Sequence, residues 1–280
     1  MRNKNFLYLI ILVWVLSFIV IPIGTMFLYS FWSVENFQIV HSFSLKNFLV
    51  IFKDPLYIPL FIKTFKMAFI ISLCATLLSY PMAIFVHTYG GRYKTILYIS
   101  VLAPLWVGYL VRIYSWRSIL GENGFLNSIL MIFGILKEPS SAFLFNSFAV
   151  VITMLSIAIP FTFIPIFNAI EKVPANLTQA AADLGANNLK AFWSVMFPLS
   201  LPGVVTGFLL AFVISYGDYL TPALVGGPSG IMIGSVIQSQ FGNSYNWPLG
   251  AALAVIMLVF ILLILAVAQK LGDVKGTFED

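Results

Sequence analysis

Charge is what this sequence has least of. Only 9% of its 280 residues are Asp, Glu, Lys or Arg, against about 25% in an ordinary soluble domain. Such a chain cannot cover a core with polar surface, so a water-soluble globule is excluded. Its 60% of hydrophobic residues must meet lipid as well as one another. Cysteine is limited to Cys74 inside an apolar stretch, which rules out an internal disulfide and a thiolate cluster. Histidine is limited to His41 and His87, neither at ligand spacing from a carboxylate, so no metal centre is expected. No glycine-rich run ends in Gly-Lys-Ser/Thr, which removes the usual phosphate cradle for ATP. The 15 basic residues outnumber the 10 acidic ones but are scattered, so nucleic acid is not an expected partner. No internal repeat or low-complexity tract is present, and a single domain over 1–280 is the economical reading.

What is abundant is apolar sequence in lengths that match a bilayer. About 30 Å of hydrocarbon at 1.5 Å per residue needs about 20 residues. Reading from charge to charge gives spans at Phe6–Phe31, Met67–Val86, Thr95 to about Arg112, Ala142–Phe167, Gly203 to about Leu220, and Ala251–Ala268. The first is too long for a secretory signal and has no small-residue cleavage site, so it is expected to stay in the mature protein. Phe125–Leu136 is apolar but only about a dozen residues long, which suits an interfacial or re-entrant helix. Ser33–Lys66 reads as a loop with a short helix lying on the membrane, and Gly226–Pro248, rich in Gly, Ser, Asn and Pro, as an irregular loop. Six spans place both termini on one side. The basic residues are densest at the termini and in Thr88–Lys94, which favours that side as the cytoplasmic one.

Between the fourth and fifth spans, Glu171–Pro202 is far longer than a helix-to-helix turn needs. Pro174 and the alanine-rich Gln179–Ala182 predict a first short helix, which Gly185 breaks. Asn187 can cap a second helix through Phe192 to Met196, with Pro198 ending it. Leu189, Phe192, Val195 and Met196 fall on one face of that second helix. Read without further context, this is a helix pair on the lipid surface.

The spacing carries a resemblance. Gln179-Ala180-Ala181, three residues, Gly185, nine residues, then Val195-x-Phe197-Pro198 resembles the EAA loop of permease subunits in binding-protein-dependent ABC importers. Asp183, Leu184-Gly185-Ala186 and Phe192 lie within it. Gln179 stands where the family carries glutamate, keeping hydrogen-bonding capacity without the charge. The region Leu102–Asn127, Ser79-Tyr80-Pro81, Tyr216–Gly227 and Asn246-Trp247-Pro248 is similar to spermidine/putrescine permeases, and in part to permeases for iron, thiamine, phosphonates and opines. The resemblance implies an all-α membrane protein with six transmembrane helices in the type I ABC importer permease (MetI-like) architecture. It implies a bacterial inner-membrane location with the loop and both termini cytoplasmic. It also implies a homologous second permease subunit, two cytoplasmic ATPase subunits that bind ATP and Mg, and an extracytoplasmic substrate-binding protein. No cofactor is expected on this chain itself.

A polyamine path needs carboxylates to neutralise ammonium groups and aromatic faces to replace water, each cation–π contact contributing about 0.5–2 kcal/mol. Asp218 is the acidic residue that these boundaries place in a span, so it is the leading path candidate. Two other roles stay open for it: capping the end of its helix, or pairing with Arg112. Trp106, Tyr109, Tyr114, Trp116, Tyr216 and Tyr219 are candidates to line the same path, and an interfacial aromatic belt is the alternative for many of them. Ser215-Tyr216-Gly217-Asp218 superficially resembles the Gly-x-Gly-Asp of intramembrane aspartyl proteases. It lacks the first glycine and a second intramembrane aspartate, so catalysis is not expected. Importers of organic anions or iron would use Arg112 instead. A passive facilitator is the alternative from another class, and it predicts uptake without an ATPase.

Overall fold

The computed structural model describes residues 10–35 and 38–276, so the sequence-expected start of the first span at Phe6 lies outside the described residues. Helices make up most of it. In chain order they are α1 (Ile10–Tyr29), α2 (Lys46–Lys53), α3 (Tyr57–Tyr89), α4 (Lys94–Leu102), α5 (Tyr109–Leu120), α6 (Phe125–Ile132), α7 (Ser147–Glu171), α8 (Ala175–Asp183), α9 (Asn188–Ala191), α10 (Phe197–Gly217), α11 (Leu220–Val225), α12 (Ile233–Phe241) and α13 (Trp247–Gly276). The one sheet among the described residues is a hairpin of β1 (Ser33–Glu35) and β2 (Gln38–Val40). Five helical stretches are long and apolar enough to cross a membrane. A further pair, Gly91–Trp106 and Tyr109–Ile132, meets at 93° and makes a sixth crossing if the two count as one broken span.

That break corrects the straight third span expected over Thr95–Arg112. Charge-to-charge reading does not register backbone punctuation, and here Pro104 and Gly108 bracket an extended Val107. The second span starts ten residues earlier than expected, at Tyr57, because Lys63 and Lys66 do not end a helix. Lysine is a good helix former, and Lys63 Nζ donates to the Ser229 carbonyl oxygen at 2.6 Å. The expected irregular loop Gly226–Pro248 contains α12, whose first N–H, at Ile233, is accepted by Thr64 Oγ1 of α3 at 2.9 Å. A cap supplied 169 residues away leaves no local sequence signal.

The described residues form two compact units, one reaching to Leu60 and including Val236–Ile264, the other built on Phe61–Ser235 with the residues from Leu265 on. In the first, Asn47 of α2 donates from Nδ2 to the carbonyls of Ser30 (3.0 Å) and Trp32 (2.8 Å), fastening α2 to the exit of α1. Tyr29 packs on Trp32 and Trp247 there. None of the most apolar stretch of α1 is buried, so this helix requires lipid or another subunit around it.

In the second unit α7 and α10 pack face to face. A Cβ at Gly203 would collide with Ala169 and the Pro165 carbonyl, and one at Gly207 would lie 2.9 Å from the Thr162 carbonyl oxygen. Only hydrogen fits at these positions, as in close helix pairs within membranes. The Ser79 and Thr162 hydroxyls are paired across α3 and α7, and the Ile159 carbonyl accepts beside them. Replacing Gly203 or Gly207 by Leu should therefore lower the melting temperature of the purified chain, the overpacking costing about 1–3 kcal/mol. Gly24→Leu, at a position with nothing within 4 Å, should leave it unchanged; equal loss in all three would contradict the close-packing account.

Candidate functional site

Two assemblies stand at opposite ends of one helix. The first is the loop between α7 and α10. α8 closes on Gly185, which holds a left-handed φ of +81° that only glycine adopts without strain. The Ala186 N–H reaches the Ala181 carbonyl at 3.0 Å, the helix-terminating pattern that a left-handed residue permits. Asn187 Oδ1 then accepts the Lys190 N–H at 2.8 Å, capping the second helix as its sequence predicts.

Pro198 does not end that helix, contrary to expectation. The Phe197 N–H bonds back five residues to the Phe192 carbonyl, so Phe192–Met196 forms one π-helical turn. The wider turn accommodates a proline that in a regular helix loses a bond and strikes the carbonyl four residues before it. The result runs unbroken over Leu189–Gly217, 29 residues and about 43 Å.

The loop is anchored at its base and open at its tip. Phe192 stands edge-on to Tyr80 of α3 at 5.8 Å. Tyr80 Oη lies 2.7 Å from Ser200 Oγ, which itself donates to the Phe197 carbonyl, making the tyrosine the donor. Val195 and Ala186 are half-buried, whereas Gln179, Ala180, Asp183 and Pro198 are exposed and Ala181 is partly covered. Leu184 at the tip is 89% exposed, and Leu177, Leu189 and Trp193 are also open. Beside this base the Lys94–Glu171 ion pair, at 2.7 Å, ties α4 to the end of α7.

At the other end, α10 stops at Gly217 and Asp218 turns extended. Its Oδ1 accepts the Leu220 N–H at 3.0 Å and its Oδ2 the Thr221 N–H at 3.2 Å. The aspartate thus opens α11, and it is 8% exposed. The capping role left open from sequence is real, although it serves the next helix and not its own. The Tyr109 hydroxyl lies 3.3 Å from Thr221 Oγ1 and within hydrogen-bonding reach of the carboxylate. Arg112 sits over the Tyr109 ring at 5.6 Å, with its Nε and Nη1 buried and without a partner. Among the described residues the one ion pair is Lys94–Glu171, so Arg112 does not pair with Asp218.

The structure therefore gathers Asp218, Tyr109 and Arg112, and adds Thr221, which sequence reasoning missed. Its signal was its place three residues after an aspartate. Thr153 and Ser215, two further buried hydroxyls without partners, were missed too. Tyr216 is buried in a stack on Phe212, and Trp116 packs against the core of the same unit. Trp106, Tyr114 and Tyr219 are exposed and do not join the cluster. Among the described residues no group of three His, Cys, Asp or Glu is placed to hold a metal ion.

Comparison with known proteins matches residues 1–272 to the family described as binding-protein-dependent transport system inner membrane component. The spermidine/putrescine transport system permease protein PotB of Haemophilus influenzae is 33% identical over 275 residues, covering 96% of this chain and 95% of its own. PotB of Escherichia coli is 32% identical over 274 residues, covering 95% and 98%. Among solved structures, a bacterial ABC transporter involved in import of the acidic polysaccharide alginate superposes with a TM-score of 0.75 at 16% identity, covering 97% of this chain and 96% of that one. The MetNI methionine ABC transporter in an inward-facing form gives 0.58 at 15% identity, covering 76% and 93%.

Asp218→Leu should leave two buried N–H groups unsatisfied and lower the stability of the purified chain by about 1–3 kcal/mol. Asp218→Asn, which keeps one of the two oxygen acceptors, should lose about half of that in a thermal melt. Equal loss in the two variants would remove the capping role.

Proposed function

The chain belongs to the binding-protein-dependent transport system inner membrane component family, and from that premise we propose that it conducts the polyamines spermidine and putrescine by alternating access driven from its Gln179–Phe197 loop. It is a multi-pass inner-membrane permease subunit of an ABC importer. The polyamine reading draws on the printed names of relatives matched over nearly the full chain and on the chemistry around Asp218. Two backbone N–H groups occupy part of that carboxylate's accepting capacity and leave lone pairs for a substrate ammonium. Tyr109 stands beside it, one face of its ring overlaid by the Arg112 guanidinium at 5.6 Å and the other face left to a substrate ammonium. In this reading Trp106, Tyr114, Trp116, Tyr216 and Tyr219 have secondary roles, and the three exposed ones meet lipid or the second permease subunit.

The observation that carries the coupling is the unbroken helix. The exposed loop at Leu184 and the buried Asp218 are joined by the continuous helix Leu189–Gly217, so a displacement of the loop reaches Asp218 through a single helix. An ATPase dimer that closes when it binds ATP would seat the loop differently in its two states. ATP can drive transport only through such a difference, because a ligand indifferent to both states shifts nothing. The loop then faces the cytoplasm, both termini lie on that side, ATP and Mg reside on the two partner ATPases, and a binding protein delivers substrate to the opposite face. Gln179 in place of glutamate leaves the helix–Gly–helix geometry intact and gives the docking contact an amide where the family has a carboxylate.

A second reading is favoured by one observation. The buried Nε and Nη1 of Arg112 lack a partner, and a buried guanidinium calls for an anion. An importer of a small organic anion would use it.

Uptake of radiolabelled spermidine and putrescine, in a polyamine-requiring host expressing this subunit with its presumptive partners, separates these. Wild-type uptake should be ATP-dependent and Asp218→Asn should reduce it at least tenfold while still assembling with the ATPase. Absence of polyamine uptake in wild type would overturn the cargo but not the importer. Gly185→Val, strained at φ +81° with open space around it, should abolish coupled uptake while membrane insertion persists; normal uptake would count against the lever.

A further inference from the structure

We propose that the Lys46–Lys53 face of α2 is a binding site for the headgroup of an anionic phospholipid. Depth is the first observation. Asn47 ties α2 to the carbonyls of Ser30 and Trp32, just past the end of α1. Tyr29, Trp32 and Trp247 cluster at the same level, and Trp and Tyr mark the boundary between hydrocarbon and headgroups. α2 therefore lies where α1 leaves the membrane.

Its faces fit that position. Asn47 and Ile51 point into the protein and are buried. Leu49 and Phe52 are open, as are Phe43, Leu45 and Leu56 on either side of the helix, an apolar set that water would disfavour and acyl chains would cover. Lys46 and Lys53, both exposed, are seven residues apart, which puts them on nearly one line of the helix about 10 Å from each other. They flank a shallow depression lined by Leu49, Val50, Asp54 and Pro55. Flexible lysine stems let both ammonium groups converge on one phosphate or span two. Asp54 is the opposing charge, and its Oδ1 is engaged by the Leu56 N–H at 2.9 Å. A protein partner with an acidic surface would satisfy the lysines but not the open phenylalanines and leucines beside them, whereas a phospholipid satisfies both.

The site is independent of the cargo and of the coupling loop. Its test uses the full chain in detergent micelles, titrated with brominated phosphatidylglycerol and, separately, brominated phosphatidylcholine, with tryptophan quenching as the readout. A basic residue near an anionic membrane surface is worth about 1 kcal/mol, about fivefold in binding. Wild type should thus prefer phosphatidylglycerol several-fold, and Lys46→Gln/Lys53→Gln should bring the preference close to unity. Lys46→Arg/Lys53→Arg should keep it. Lys172→Gln/Lys190→Gln, which removes the same charge elsewhere, should leave it unchanged, and thermal melts check that each variant is folded. Equal affinity of wild type for the two lipids, or an undiminished preference in the Lys46/Lys53 glutamine variant, would overturn the proposal. If that variant keeps its lipid preference but binds the substrate-binding protein more weakly, the face belongs to a protein instead.

Discussion

A peptide group inside hydrocarbon has no water to bond, and leaving it unpaired costs several kcal/mol. Among the described residues, several departures from regular helix are met by a group that repairs them. Pro22 and Pro198 are each preceded by a π-helical turn, Leu16–Val20 and Phe192–Met196, in which an N–H reaches back five residues. Where the backbone leaves the helix, short polar side chains take over. Asn127 holds the Gly121 and Ser140 carbonyls and the Ser140 N–H around α6. Asn146 caps α7 through the Ala149 N–H. Thr64 opens α12 and Asp218 opens α11. Buried polarity here is mostly backbone repair, and the groups it leaves over stand out against it.

Among the described residues few buried side-chain groups are left over. Arg112 keeps two buried nitrogens, Nε and Nη1, without partners beside Tyr109, Thr153 and Ser215 keep idle hydroxyls, and His87 keeps an unpartnered Nδ1. Asp218 has a structural duty and still retains accepting capacity. A residue that both caps a helix and meets substrate would couple the two, since an ammonium competing for the carboxylate bears directly on how α11 begins. The 29-residue helix that leads to it from the exposed loop packs closely on α7 at Gly203 and Gly207.

Much of this was legible in the residues alone. Charge scarcity excluded a soluble fold, apolar runs located the crossings, and the Gln179–Pro198 spacing located the loop, because each is a local property of composition or period. Gly185 and Asn187 were readable for the same reason: a left-handed break and an N-cap act on neighbours within four residues. The third crossing was misjudged because hydropathy is blind to the direction of the backbone. Pro198 was misjudged because a π turn carries no residue signature. Thr64, Lys63 and Ser200 act on partners more than a hundred residues away, beyond any window of local pattern.

What the sequence determined by itself is therefore the solvent, the apolar crossings and the place of the long loop before α10, since burial in lipid and local helix chemistry depend on residue type and near spacing. Tertiary structure alone decided that loop and Asp218 share one helix, that Asp218 caps α11 and leaves Arg112 unpaired, and that α2 is pinned by Asn47 at the end of α1. Each of those is a hydrogen bond, or the lack of one, between groups whose meeting depends on how the helices pack.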